Sequence, residues 1–90
     1  MECHWDPVKA KANVKKHGVE FADAVGVFDD PDAITIEDPD SEGEQRFISI
    51  GLDVLGRIIV VAYTYQGDDI RLISARKATK KEAKIYEKRI

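Results

Sequence analysis

The residues best equipped for chemistry in this chain are four arginines. Arg46, Arg57, Arg71 and Arg76 all lie in its second half, and the first 44 residues contain no arginine. A guanidinium stays charged and offers a planar fork of N–H donors that fits a phosphate. Lys77, Lys80, Lys81 and Lys84 follow close behind. His17 stands in the run Lys15-Lys16-His17-Gly18. An imidazole ordinarily titrates near neutrality and can move a proton, but it serves equally well to close a helix. His4 beside Trp5 reads as a packing residue, and Tyr63 and Tyr65 as core or sheet residues, with stacking on a base the lesser alternative. Each arginine also has a plain structural reading, a salt bridge to the acid-rich first half.

A sheet has to hold these side chains. The runs Gln45–Leu52, Arg57–Tyr65 and Ile70–Lys77 are rich in Ile, Val, Tyr and Thr, with breaks at 53–56 and 66–69 that carry Gly and Asp. That pattern predicts a three-stranded antiparallel meander. In the middle run both alternating sets are apolar, Ile58, Val60, Ala62 and Ile59, Val61, Tyr63, so it should be central and covered on both sides. Arg71 alternates with Ile73 and Ala75, Arg76 with Leu72 and Ser74. Five residues apart, the two arginines cannot share a face of a regular strand, and hairpin register decides which one faces outward.

Helices flank the sheet. Glu2–Trp5 suits a short strand. Asp6-Pro7 predicts a helix start, Asp at the N-cap and Pro in the first turn. That helix should run to about Lys16 with Val8 and Ala12 as its apolar pair, and stop at His17-Gly18. A second helix is predicted from about Glu20 to Phe28, with Phe21, Ala24, Val25 and Phe28 as one stripe. Ala33–Glu37 alternates as a strand, and 38–44 is an acidic loop. Thr79-Lys80-Lys81-Glu82 is a capping box, and the helix behind it should bury Ala83, Tyr86 and Ile90. The fold class is therefore α+β: a small antiparallel sheet, a meander of three central strands plus short N-terminal strands, packed by two N-terminal helices and one C-terminal helix.

At 90 residues this is a single domain, residues 1–90. No apolar run approaches the roughly 20 residues that span a bilayer, which argues against a membrane partner. The N-terminus does not read as a signal peptide, and the lone Cys3 points to a reducing, cytoplasmic setting. The net charge of −3 conceals a division: residues 1–44 sum to −8 (four Lys against twelve Asp and Glu), residues 45–90 to +5 (ten Lys and Arg against five). Such a split points to an anionic partner on the basic side, against the plainer reading of a solvated Lys-rich helix. One Cys and two His without ligand spacing give no structural zinc site. No phosphate-binding glycine loop or nucleophile elbow is present, and the acidic loop lacks the pattern of a calcium-binding EF-hand. No metal or cofactor is expected.

Taken in order, several stretches resemble one family. Trp5-Asp6, Lys9, Asn13, Lys16-His17-Gly18-Val19, Phe21, Ala24 and Val27-Phe28-Asp29-Asp30-Pro31 are similar to the first half of the BrnT toxins. Gly43-Glu44, Arg46, Ile50-Gly51, Val60-Val61, the run Ile70–Ala78, Glu82 and Tyr86 are similar to the second. Glu20 departs from the pattern, standing where many relatives carry a Ser or similar cap. The resemblance implies a RelE-like fold and a ribonuclease toxin of a type II toxin–antitoxin pair that arrests translation. It implies a BrnA-like ribbon-helix-helix antitoxin as partner, with operator DNA met only through the antitoxin complex. RNA cleavage without metal needs a base for the 2′-hydroxyl, an acid for the leaving oxygen and cations for the phosphorane. His17 or Glu44 would be base or acid, Arg46, Arg71 and Arg76 would hold the phosphate, and Lys77, Lys80, Lys81 and Lys84 would follow the RNA backbone. The competing reading is a non-catalytic module of the same fold that binds an antitoxin as co-repressor.

Overall fold

A computed structural model describes residues 1–89 of the chain. Its elements are β1 (Cys3–His4), α1 (Pro7–His17), α2 (Phe21–Ala24), a 3-10 helix (Val25–Asp29), β2 (Ile34–Glu37), β3 (Phe47–Leu52), β4 (Ile58–Gln66), β5 (Asp69–Lys77) and α3 (Lys80–Glu87). The five strands form one sheet in the order β1-β5-β4-β3-β2. The meander β3-β4-β5 is antiparallel throughout, β2 joins β3 antiparallel, and β1 joins β5 parallel. The expected architecture is present, and the parallel pairing of β1 is its one unforeseen connection.

One face of the sheet carries the core. Ile59, Val61, Tyr63, Ile70, Leu72 and Ala75 pack against Val19, Phe21, Ala24 and Val27. The predicted stripe of the second helix shifts because only one turn is α-helical. In the 3-10 segment three residues make a turn, so Phe21, Ala24 and Val27 align and are buried while Val25 and Phe28 are half-buried. Glu20 at the N-cap makes no side-chain cap bond. The 3-10 segment lies so close to the β3–β4 turn that a Cβ on Gly26 would sit 2.6 Å from the Val54 backbone nitrogen. Glycine is the residue that fits there.

α1 starts and stops as its sequence predicts, with Asp6 accepting from the Val8 N–H and Gly18 left-handed at φ 69°. Its buried side is different from the predicted pair. Val8 is 75% exposed and Ala12 is exposed, whereas Asn13 is buried and Ala10, Val14 and His17 are half-buried. The reason lies at the sheet edge. β1 covers β5 only at Ile70 and Arg71, and beyond it the Asn13 carboxamide takes over. Its Nδ2 donates to the carbonyls of Ala75 (2.8 Å) and Val19 (2.9 Å), and its Oδ1 accepts from the Ala75 N–H (3.1 Å). One amide side chain thus serves as a short stretch of strand.

The other face is more open. Val60 is 6% exposed, but Ile58, Ala62, Ile48 and Ile50 are half-buried and Ile36 is 55% exposed, so β4 is central but not fully covered on this side. α3 reaches this face at the Arg76 end. Its capping box forms as predicted. Of its expected buried residues, Tyr86 is 1% exposed and donates to Asp30 Oδ2 at 2.5 Å, Ala83 is half-buried, and Ile90 lies outside the described residues. No helix is long and apolar enough to cross a membrane.

Candidate active site

A β-bulge assembles the arginines. In the β4–β5 ladder Ala62 pairs with Ser74, but the next residue, Tyr63, pairs with Leu72, so Ile73 is the extra residue. A bulge breaks alternation. Arg71 therefore faces Thr64 and Arg76 faces Val60, two β4 positions four apart and hence on one side of a regular strand. The expectation that these arginines must part applied to an unbulged strand, and the bulge removes its premise. Both lie on the open face.

Arg46 joins them. Phe47 pairs with Tyr63, and Gln45 accepts from the Thr64 hydroxyl through its carbonyl at 2.8 Å, which puts Arg46 beside Thr64 on the open face. A row therefore crosses the sheet: His4 opposite Arg71, Arg71 opposite Thr64, then Arg46. Thr64 is 3% exposed between its two charged neighbours. Glu44, from the acidic loop, accepts from Arg71 Nη2 at 2.8 and 3.1 Å. The Nε groups of Arg46 and Arg71 are buried and lack a hydrogen-bond partner. Orphaned buried donors are rare because each costs free energy.

Arg76 is held differently. It grips Glu82 with two parallel bonds, Nη1 to Oε1 at 2.8 Å and Nη2 to Oε2 at 2.9 Å. That bond holds the Glu82 carboxyl down at about 2 and raises Arg76 above the ordinary guanidinium value. Arg76 stands roughly 13 Å along the strand from the Arg71 row, four residues at the usual rise. Arg57 is a structural group: it clamps buried Asp53 (Nε to Oδ2 2.8 Å, Nη2 to Oδ2 2.7 Å) and closes the β3–β4 turn.

His17 does not join the row. It lines a cleft of 230 Å³ between α1 and β5, together with Lys9, Ala12, Asn13, Lys16, Ile73 and Ser74. Lys77 pairs with Ile59, on the side opposite Arg76, and Lys80, Lys81 and Lys84 are exposed on α3. A larger cavity, 260 Å³, lies on the helix-packed face among Phe28, Asp30, Thr35, Ser49, Tyr63 and Tyr65. It contains no cationic side chain, and its hydroxyls satisfy one another, Thr35 to Ser49 at 2.7 Å and Ser49 to Tyr63 at 2.8 Å. Its one charged side chain is an acid, Asp30.

Sequence reasoning missed His4 and Thr64. The His4 ring, read as packing, is half exposed, with Nε2 3.1 Å from Asp69 Oδ2. Hydrogen bonds from the Glu2 N–H and then from His4 hold Asp69 below the usual carboxylate range. Glu2, His4 and Asp69 are also the group among the described residues whose ligand atoms, all within 4.8 Å of one another, are placed to hold a metal ion. The signal was slight: the alternation of Glu2 to Trp5 marks a strand, but its partner lies 67 residues away.

Comparison with known proteins supports the fold. No curated protein matches the chain. Among solved structures it is similar to the crystal structure of the Brucella abortus ribonuclease toxin BrnT, with 29% identity and a TM-score of 0.68 over 89% of this chain and 99% of that one. The family model described as "Ribonuclease toxin, BrnT, of type II toxin-antitoxin system" matches residues 5–82, which include every arginine of the open face. The chain belongs to the BrnT family of ribonuclease toxins.

Proposed function

We propose that the protein is a metal-independent endoribonuclease that cuts RNA across the Arg46–Thr64–Arg71 row, arrests translation and is neutralised by a BrnA-like ribbon-helix-helix antitoxin, meeting operator DNA only through that complex. The observation that carries the reading is the placement of Arg46 and Arg71 on either side of Thr64 on an open face, with the Glu44 carboxylate bonded to Arg71. Glu44 takes the proton of the 2′-hydroxyl. The 2′-oxygen attacks phosphorus, and the two guanidiniums neutralise the phosphorane. The P–O5′ bond breaks, and the products carry a 2′,3′-cyclic phosphate and a 5′-hydroxyl. The leaving oxygen draws its proton from solvent, because His17 lines the separate cleft beyond the β5 edge. Arg76 reaches phosphate by exchanging it for Glu82, while Lys77, Lys80, Lys81 and Lys84 follow the backbone without reading sequence.

The test uses purified protein and RNA in the presence of EDTA. Arg71→Ala is expected to slow cleavage on the order of 100-fold, the effect of removing one preorganised donor to a charged intermediate, and Arg76→Ala at least about tenfold. Cleavage that disappears with EDTA removes metal independence; unchanged cleavage by Arg71→Ala removes the row. The alternative, a non-cutting co-repressor module, draws on the carboxylates that already occupy Arg71 and Arg76. Wild-type protein that binds antitoxin and leaves RNA intact would favour it.

A further inference from the structure

The cleft between α1 and the edge of β5 holds an arrangement that the row of arginines does not use. Lys9 and Lys16, seven residues apart and therefore close to one side of the helix, stand at its lip with His17, and Asn13 and Ser74 form its polar wall. No carboxylate lines it. Among the described residues, neither Lys9, Lys16 nor His17 has an acidic group within 4.0 Å. Two lysines and an imidazole thus gather around one concavity that no acidic side chain lines.

We infer that this cleft is a second phosphate subsite, which takes the RNA backbone away from the scissile bond as the strand leaves the open face over the β5 edge. The inference rests on RNA being the substrate, as read above. Ser74 makes the two regions continuous. It pairs with Ala62, which lies midway between Thr64 and Val60, the partners of Arg71 and Arg76. It therefore sits on the open face, roughly 7 Å along the strand from either arginine's level, and it also lines the cleft. The bulge at Ile73, another lining residue, carries the strand from one region to the other. Asn13 keeps the wall fixed. Its carboxamide is fully engaged with Ala75 and Val19 and has no donor to spare for a base. No Phe, Tyr or Trp ring lines the cleft. Such a site grips charge and reads no sequence.

Lys15, Lys16 and His17 also offset the negative end of the α1 dipole, so the test changes Lys9 together with Lys16. Binding of a 5′-labelled single-stranded 2′-O-methyl 12-mer, which cannot be cut, is followed by fluorescence anisotropy at several salt concentrations. The proteins are the wild type, Lys9→Gln/Lys16→Gln and Lys9→Arg/Lys16→Arg, with thermal melting of each. Both lysines are exposed, and equal melting is expected. The Gln pair should raise Kd at least about tenfold at low salt and flatten the log–log salt dependence by about 1.4, the value for two phosphate contacts on a single strand. The Arg pair should bind as the wild type does. A Gln pair that binds with unchanged Kd and slope overturns the cleft while leaving the ribonuclease reading intact; wild-type protein that neither binds nor cuts RNA overturns both. A Gln pair that loses binding of a polyglutamate 12-mer and keeps that of RNA assigns the cleft to an acidic protein segment instead.

Discussion

Asn13 is a polar residue in a position where amphipathic helices usually carry an aliphatic one. Its value lies in geometry: a carboxamide offers Ala75 one acceptor and one donor, the pair that a neighbouring strand would present, and has a second donor for the Val19 carbonyl. Asn13→Ala leaves two carbonyls and one N–H without partners and is expected to cost about 2–4 kcal/mol, read by urea unfolding with the slope unchanged. Asn13→Asp should cost more, because it removes both donors and sets a carboxylate against two carbonyl oxygens. A loss below about 0.5 kcal/mol, the scatter of ordinary surface substitutions, contradicts this role. The sequence showed that Asn13 is helical but not that it is buried, because an edge strand is missing only in three dimensions. The arginines were visible as phosphate ligands by type, whereas Thr64, between them, was visible only as a strand residue.

Among the elements, those defined by local chemistry were the ones that could be read. The Ile- and Val-rich runs became β3, β4 and β5, Asp6-Pro7 opened α1, and Thr79 with Glu82 opened α3. The bulge at Ile73 has no local mark, since Leu72-Ile73-Ser74 continues the pattern of an ordinary strand. One consequence can be tested by deletion. Removing Ile73 takes out the extra residue and leaves the rest of the ladder in step, so Thr64–Arg71 and Val60–Arg76 should both persist as cross-strand NOEs. Removing Val61 instead shifts part of β4 by one position, exchanges its faces and should abolish the cooperative melt. If deletion of Ile73 loses the Val60–Arg76 contacts, the two arginines do not share a face through a bulge. The second helix failed its predicted stripe for a related reason: Gly26 must approach the backbone at Asp53 and Val54, and the tighter 3-10 winding accommodates that approach.

For the molecule as a whole, the pairings that join distant segments also set its response to pH. Arg76 holds Glu82 at about 2 against an ordinary 4.5. A depressed carboxyl contributes its stability above the unfolded value and loses it as pH falls through the folded one, so this contribution fades between about 4.5 and about 2. Asp30 acts in the same direction. Burial would raise it, but hydrogen bonds from Tyr86 and from the backbone at Leu52 and Asp32 bring it below its usual range. Tyr86 acts oppositely: burial, then Asp30, pushes its hydroxyl up to about 12, so its contribution is complete below 10 and is lost as pH rises from 10 to 12. Urea midpoints measured across pH should show a plateau with both flanks falling. Arg76→Gln should flatten the acid flank and Tyr86→Phe the alkaline one; an acid flank unchanged in Arg76→Gln contradicts the pairing. The charge division between the two halves of the sequence was legible from composition. That Arg71 would borrow Glu44 from the acidic half while Arg76 took Glu82 from its own was not, because partner choice follows strand register.

The amide of Asn13 has an effect beyond the helix that carries it. With the two-residue β1 on the first part of β5 and a side chain closing the next, that flank of the sheet offers an incoming strand little continuous edge. The opposite flank, Ile34–Glu37, pairs only with β3 and has Ile36 half in water. The longer free edge for another polypeptide, whether in a donor-strand complex or in an aggregate, is therefore β2.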